Sequence, residues 1–327
     1  MSERFLVTGA FGCIGAWTVK RLLDEGVPVW TYDLPGNPHR MHLIMDEAAL
    51  AKVNFVNGDI TDHKLFEKTV VDNGITHIIH LAALQVPFVR ADPVLGARVN
   101  VVGTTIVFET AKQHAQQVQG LTYASSTGVY GSADEYPAGP LAHNAPLKPP
   151  TLYGVYKQAN EGTAKIYWKE YGLSSIGLRP YVVYGPGRDQ GWTSTPTKAM
   201  VAAAVGRKYH INFSGSIVYQ FAKDAAAVFI RAARTPSEDA VVYNLGGTTA
   251  TMAEVVAAIE AAVPASAGQI TFEPTVLPGP AGIDSSALET ALGPLHWTPL
   301  VEGVRQTIDC FQAAVKANKL NVEKILA

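Results

Sequence analysis

Three glycines spaced three apart follow directly on the first apolar run of the chain. Phe5-Leu6-Val7-Thr8 passes into Gly9-Ala10-Phe11-Gly12-Cys13-Ile14-Gly15, and a second apolar run, Val27 to Tyr32, ends in Asp33. Strand, tight turn, helix, strand and acid in that order make the front half of a dinucleotide-binding unit. Glycine reaches backbone angles closed to other residues, and a turn bare of side chains lets a pyrophosphate lie against amides at a helix N-terminus. At the end of the second strand, Asp33 is suited to accept hydrogen bonds from a ribose 2′-hydroxyl and to repel a 2′-phosphate. The expected cofactor is therefore NAD; NADP would require Arg40 to swing in and meet the phosphate.

With 327 residues the chain exceeds a typical single domain, and the expectation is one large α/β unit with a smaller attached lobe. Hydrophobic residues make up 47% and charged residues 17%, enough for a sizeable core. The 26 basic residues nearly balance the 28 acidic ones, with no basic block or stripe, which argues against nucleic acid and anionic membrane as partners. A strand beginning by Phe5 leaves no room for a signal peptide, and no apolar run reaches the roughly 20 residues needed to span a bilayer. A soluble, cytoplasmic protein is expected. Cys13 and Cys310 are the only cysteines and the histidines are scattered, His77 and His80 flanking a strand, so neither a disulfide framework nor a metal site is expected.

Further strands read as Val53 to Val56, His77 to Leu81, Gly120 to Ala124, Ser175 to Leu178 and Val241 to Leu245. Helical stretches read as Ile14 to Glu25, Met41 to Lys52, Lys64 to Asn73, Arg98 to His114, Tyr153 to Tyr171, Thr197 to Val205, Asp224 to Ala233, Met252 to Ala262 and Leu300 to Ala317. Alternation of this kind implies a Rossmann-type, doubly wound parallel sheet covered on both faces. Residues 1–180 are expected to form the NAD-binding domain, with segments at about 218–248 returning to it. Residues 181–327 should form mainly a smaller, interleaved C-terminal substrate-binding lobe.

Tyr153 and Lys157 stand four residues apart, on one helix face and one turn from each other. A phenol normally ionises near pH 10, too high for a general base at neutral pH. A neighbouring Lys157 cation, with a positively charged nicotinamide, is expected to bring that value down. Ser125-Ser126-Thr127 follows the strand that begins at Gly120, at the strand end that faces the ligand crevice of an open parallel sheet. A Ser126 hydroxyl there would hold a substrate oxygen and share its proton with Tyr153 while hydride passes to nicotinamide.

These motifs together resemble the extended short-chain dehydrogenase/reductase family, the group of nucleotide-sugar epimerases and dehydratases, over nearly the full chain. The matching residues are Thr8 to Gly15, Asp33, Asp59-Ile60, His80-Leu81-Ala82-Ala83, Asn100 within Val99 to Thr104, Ser125-Ser126, Tyr153 through Lys157, and Leu178-Arg179-Pro180 ahead of Tyr184-Gly185-Pro186. The resemblance implies Ser126, Tyr153 and Lys157 as the catalytic set. It implies cofactor contacts from Gly9, Phe11, Gly12, Cys13, Ile14, Gly15, Asp33, Asp59, Ile60, Leu81, Ala82, Ala83, Asn100, Ala124, Pro180 and Val183, with Asp59 and Ile60 beside the adenine. It also implies a homodimer in which the helices around Thr104 to His114 and Tyr153 to Tyr171 form a four-helix bundle.

Two departures bear on substrate class. Nucleotide-sugar members carry an Asn where this chain has Val182, and an Arg in a segment that here, Ser214 to Asp224, contains none. Each lost charge-assisted hydrogen bond to phosphate forfeits about 1.5 to 3 kcal/mol. The expected substrate is therefore a small sugar-like compound, a free sugar, sugar acid or hydroxy acid, oxidised by an NAD-dependent dehydrogenase; the alternative is a sugar epimerase with a transient keto intermediate. Gln85, Ser125, Thr127, Tyr181, Arg188, Trp192, Ser194, Thr195 and Lys198 are the candidates around the substrate, with Arg188 or Lys198 able to pair with a carboxylate.

Overall fold

The computed structural model describes residues 2–280 and 282–327. Its strands are β1 (Phe5–Thr8), β2 (Val29–Asp33), β3 (Asn54–Asn57), β4 (His77–His80), β5 (Gly120–Ala124), β6 (Ile176–Arg179), β7 (Val182–Tyr184), β8 (Tyr209–Ile211), β9 (Ser216–Phe221), β10 (Val242–Asn244), β11 (Thr248–Thr251) and β12 (Ile270–Phe272). Seven of them join in one sheet of order β10-β6-β5-β4-β1-β2-β3, every neighbouring pair parallel. β1 and β4 are buried along their whole length, with Leu6, Val7, Ile78 and Ile79 filling both faces of the sheet, as suits central parallel strands. Strand order reverses between β1 and β4, where Thr8 pairs with His80, so the crevice opens beyond the ends of those two strands.

In chain order the helices are α1 (Cys13–Asp24), α2 (His39–Ile44), α3 (Glu47–Leu50), α4 (His63–Asp72), α5 (Val86–Ala91), α6 (Pro93–Ala97), α7 (Gly103–Gln113), α8 (Leu152–Tyr171), α9 (Thr195–Ala204), α10 (Ala222–Arg234), α11 (Met252–Ala262), α12 (Ser286–Leu292), α13 (Leu300–Lys316) and α14 (Val322–Leu326). One apolar cluster joins the sheet to α1 and α10 through Phe5, Val7, Ala16, Val19, Leu22 and Phe229. A second lies under α4, α7 and α8, around Phe66, Phe108, Tyr123 and Ala164. A third, around Met200, Tyr219, Val255 and Phe311, packs α9, α11 and α13 on the small sheet β11-β9-β7.

Several elements differ from the sequence expectation. The stretch Met41 to Lys52 is two short helices, because Met45 is extended and the Asp46 carboxylate accepts from the Ala49 amide and so starts a new helix. The helix expected from Arg98 begins earlier, and its Arg98–Val102 portion is a π turn before α7. The second strand starts at Val29 rather than Val27, and β7, β11 and β12 are strands beyond those the sequence pattern predicts. Val242–Asn244 pairs with β6 in the main sheet, whereas Ser216–Phe221 pairs with β7 and β11.

The catalytic-motif helix is cleanly bounded. Thr151 accepts from the Gly154 amide at its start, and Gly172, at φ 67°, closes its end in the left-handed region.

A Cβ on Gly15 would lie 2.3 Å from the Gly9 carbonyl oxygen and 2.6 Å from Ala10 Cα, both backbone atoms that cannot step aside. Gly15→Ala should therefore push α1 off the turn, weakening NAD binding at least about tenfold and lowering thermal stability. Isothermal titration and a melting curve measure both; an unchanged affinity would show that the close approach does not matter.

Candidate active site

Beyond the ends of β1 and β4 the glycine turn is built by contact. A Cβ on Gly9, at φ 67°, would fall 2.6 Å from the Ala82 amide nitrogen, so only glycine lets the turn rest against Leu81-Ala82. Thr8 Oγ1 accepts from the amides of Leu81 and Ala82 at 3.2 Å each and meets His80 Nδ1 at 2.7 Å. His80 Nε2 lies 3.0 Å from Thr104 Oγ1, which itself donates to the Asn100 carbonyl at 2.7 Å. Burial first, and then the charge of Lys157, hold this imidazole neutral, with its pKa pushed down to about 3.

At the start of α1, Gly12 caps the helix with no side-chain hydrogen bond and the first turn carries no acid. Its amides are thus left to an external anion, and the helix dipole favours one. Asp33 stands at the end of β2, where its Oδ2 accepts from the Ala10 amide at 2.7 Å. Burial raises its carboxyl to about 7, against the pull of the Ala10 and Phe11 amides. Arg40 does not reach toward a 2′-phosphate. It donates to Asp189 Oδ1 from Nε at 2.9 Å and Nη2 at 2.6 Å, and to the Phe11 carbonyl from Nη1 at 2.8 Å. The glycine cradle, the uncapped helix start and the acid at the next strand end fit a dinucleotide whose ribose keeps a free 2′-hydroxyl.

The loop after β7 is fastened to this turn. Trp17 Nε1 donates to the Pro186 carbonyl at 3.0 Å, and Cys13 Sγ lies 3.8 Å from the same oxygen. Arg188, between these anchors, donates from Nη2 to Thr193 Oγ1 at 2.9 Å, and its buried Nε has no partner among the described residues. Gln85 and Arg188 both close on Gly191, whose Cβ would lie 2.1 Å from Gln85 Oε1 and 3.3 Å from Arg188 Nη2.

Across the crevice, α8 presents Tyr153 and Lys157. Lys157 is 4% exposed, donates from Nζ to the Ala124 carbonyl at 2.6 Å, and lies 5.8 Å from the centre of the Tyr153 ring. Burial lowers its pKa to about 8, opposed by the Glu161 charge. Ser126 Oγ accepts from the Gly128 amide at 3.0 Å and stands close enough to Tyr153 to lower its pKa. The expected lowering of the phenol by Lys157 is not what this ligand-free chain displays. Burial raises the Tyr153 pKa, and the forces opposing the rise are the Ser126 hydroxyl and the charge of Arg188. A hydroxyl, a phenol and a buried ammonium at one strand end can relay a proton and steady an oxygen bound between them.

The remaining expected site residues make these contacts within the protein. Ser125 turns away from the crevice, its Oγ bonded to Glu161 Oε1 at 2.5 Å. Asn100 spends its amide on Leu84, accepting from the Leu84 nitrogen at 2.7 Å and donating to its oxygen at 2.9 Å. Ile60 packs against Gly103, Asp59 caps Thr61, and Val183 belongs to an apolar cluster with Trp17 and Ala222. Tyr181 donates to the Pro280 carbonyl, Ser194 to that of Gly191, and Thr195 to Asn212 Oδ1. Thr127 donates both its amide and its Oγ1 to the Pro180 carbonyl, and Trp192 is exposed. Lys198 lies on α9, half-buried. The sequence reading missed Trp17, Asp189 and Glu161. Only Glu161 left a trace, continuing the four-residue spacing of Tyr153 and Lys157.

A family model described as the NAD dependent epimerase/dehydratase family matches residues 5–246. The chain is 32% identical over 329 residues to a UDP-glucose 4-epimerase of Mycolicibacterium smegmatis, covering 94% of this chain and 98% of that one. A Thermus thermophilus UDP-glucose 4-epimerase solved in complex with NAD matches at a TM-score of 0.76 and 26% identity, over 95% of this chain and 100% of that one. An L-threonine dehydrogenase from Phytophthora infestans shares the fold at a TM-score of 0.78 and 22% identity, over 96% of this chain and 100% of that one.

The Asp33 carboxyl makes a pH prediction. With its folded pKa raised from 3.8 to about 7, the native state binds the extra proton between those values, so ligand-free stability falls as pH rises through that window. Asp33→Asn should flatten this part of a melting-temperature profile and also weaken dinucleotide binding. A profile identical to that of the parent protein would contradict the assignment.

Proposed function

Because the chain belongs to the NAD dependent epimerase/dehydratase family and takes NAD as its cofactor, we propose that it oxidises a secondary alcohol of a small sugar-like substrate, a free sugar, sugar acid or hydroxy acid. Tyr153, as the phenolate, accepts the hydroxyl proton, Ser126 holds the same oxygen, and the Lys157 ammonium stabilises the phenolate charge. NAD, when bound, supplies the hydride acceptor. Gly9, Gly12, Gly15 and the first amides of α1 would hold its pyrophosphate, and Asp33 its adenine-side ribose. The observation that carries this reading is the buried Lys157, one turn from Tyr153 and hydrogen-bonded to the very strand end that bears Ser126.

Absence of the diphosphate contacts supports a substrate without a nucleotide. Val182 is 0% exposed within β7, and Gln220 spends its amide on the Tyr181 nitrogen and the Leu245 carbonyl. Neither offers a charge to a phosphate. Identity to a UDP-glucose 4-epimerase over nearly the whole chain favours a second reading, in which hydride returns to the opposite face of a keto intermediate.

Incubation with NAD and a panel of aldoses, aldonates and hydroxy acids should raise absorbance at the NADH band, and Tyr153→Phe should lower the rate at least about a hundredfold. Turnover of UDP-glucose to a stereoisomer with no net NADH, and no reduction with the panel, would instead establish the second reading. We also propose a homodimer through α7 and α8, where Val102, just ahead of α7, and Val155 and Ile166 on α8 are exposed. Val155→Lys together with Ile166→Lys should halve the mass measured by light scattering; an unchanged mass would rule that face out.

A further inference from the structure

Glu161 lies one helical turn beyond Lys157 on the buried face of α8, and the proton transfer described above does not use it. Its Oε1 accepts from Ser125 Oγ at 2.5 Å and from Arg179 Nε at 2.7 Å, and its Oε2 from Arg179 Nη2 at 2.6 Å. Arg179 Nη1 in turn donates to the Tyr130 phenol at 2.6 Å and the His143 carbonyl at 2.5 Å, and the phenol donates to Asn244 Oδ1 at 2.7 Å. One carboxylate therefore binds together the end of β5, the catalytic-motif helix and the end of β6.

We propose that Glu161 is a positioning residue for proton transfer, a fixed negative charge that keeps Lys157 an ammonium, with Ser125 and Arg179 holding that charge in place. The proposal rests on the reading of Tyr153 and Lys157 given above. A buried ion pair seldom repays its own desolvation, so the Glu161–Arg179 pair is poorly explained as a source of stability alone. A buried amine beside a low-dielectric strand end tends to lose its proton, and Glu161 is the charge that opposes this loss. The other groups facing Lys157 do not supply a negative charge at neutral pH. His80 on β4 is neutral, and the Tyr153 phenol is held above its ordinary range. Around Glu161 itself stand Arg179 and the phenols of Tyr123 and Tyr130, both raised by burial.

The test follows the Lys157 amine directly and needs no substrate. Protein carrying lysine labelled with carbon-13 at Cε is titrated by NMR, the Lys157 resonance being the one missing from Lys157→Arg. Its midpoint should lie near 8 in the parent chain. It should fall by about one unit or more in Glu161→Gln. In Ser125→Ala, which loses a hydrogen bond and keeps the charge, it should stay within about a few tenths of a unit. If Glu161→Gln fails to fold because the guanidinium is left buried and unpaired, Glu161→Gln with Arg179→Gln removes both charges, and a fall in the same direction is expected, smaller because the lost Arg179 cation offsets part of it. An unmoved midpoint in whichever of these folds, or an equal fall in Ser125→Ala, overturns the proposal. Loss or retention of turnover in Tyr153→Phe judges only the underlying reading, since that variant leaves Glu161 and the Lys157 titration intact.

Discussion

The hydrogen bond from the Lys157 ammonium to the Ala124 carbonyl joins a helix to the strand end it must serve. Helix α8 arrives on the sheet through a long excursion after β5, so nothing in the local chain fixes its height or rotation against that strand. A buried cation that must find an acceptor does fix them, because leaving it unpaired in the interior costs several kcal/mol. Once Lys157 is seated, Tyr153 stands one turn nearer the helix start, beside Ser126. Glu161 stands one turn further on and ties Arg179 into the same assembly.

Opposite this assembly, the cofactor side is secured by backbone contact rather than by charge. Gly9 lies against Ala82 and Gly15 against Gly9, so the turn and the start of α1 form one rigid cradle at the strand-order reversal. The 185–191 loop is drawn onto it by Trp17 and by the Arg40–Asp189 pair. That pair has a second consequence. With two of its nitrogens on Asp189 and a third on the Phe11 carbonyl, Arg40 is committed to the loop and not available to a 2′-phosphate, which agrees with Asp33 in favouring NAD.

Polar residues were the hardest to assign from the sequence. Ser125 and Ser126 are adjacent and chemically identical, yet one bonds Glu161 deep in the core and the other faces Tyr153. Alternation along an extended chain requires that they diverge, but not which of them meets the crevice. Asn100, Ile60 and Val183 sit in motifs whose resemblance implies cofactor contact, and within the protein their side chains join Leu84, Gly103 and Trp17. Arg188 reads in the sequence as a loop cation able to pair with a substrate carboxylate. Its half-used guanidinium near Tyr153 emerges only once the loop is pinned on both sides.

The sequence alone determined the features whose causes are local or periodic. Glycine sterics gave the turn, apolar runs gave the parallel strands, and the four-residue spacing put Tyr153 and Lys157 on one helix face. The helix starts after Asp46 and Thr151 rest on single capping hydrogen bonds that the apolar pattern does not register. Tertiary structure decided which partner each polar side chain takes, and with it the direction of every ionisation in the site. Burial raised the Tyr153 phenol although a lysine stands one turn away, because desolvation outweighs the lowering by Ser126 and Arg188, the neighbours that distant segments supply. Those segments, Glu161 against Arg179 and Asp189 against Arg40, meet only when the sheet closes, and the spacing of a linear chain carries no record of such meetings.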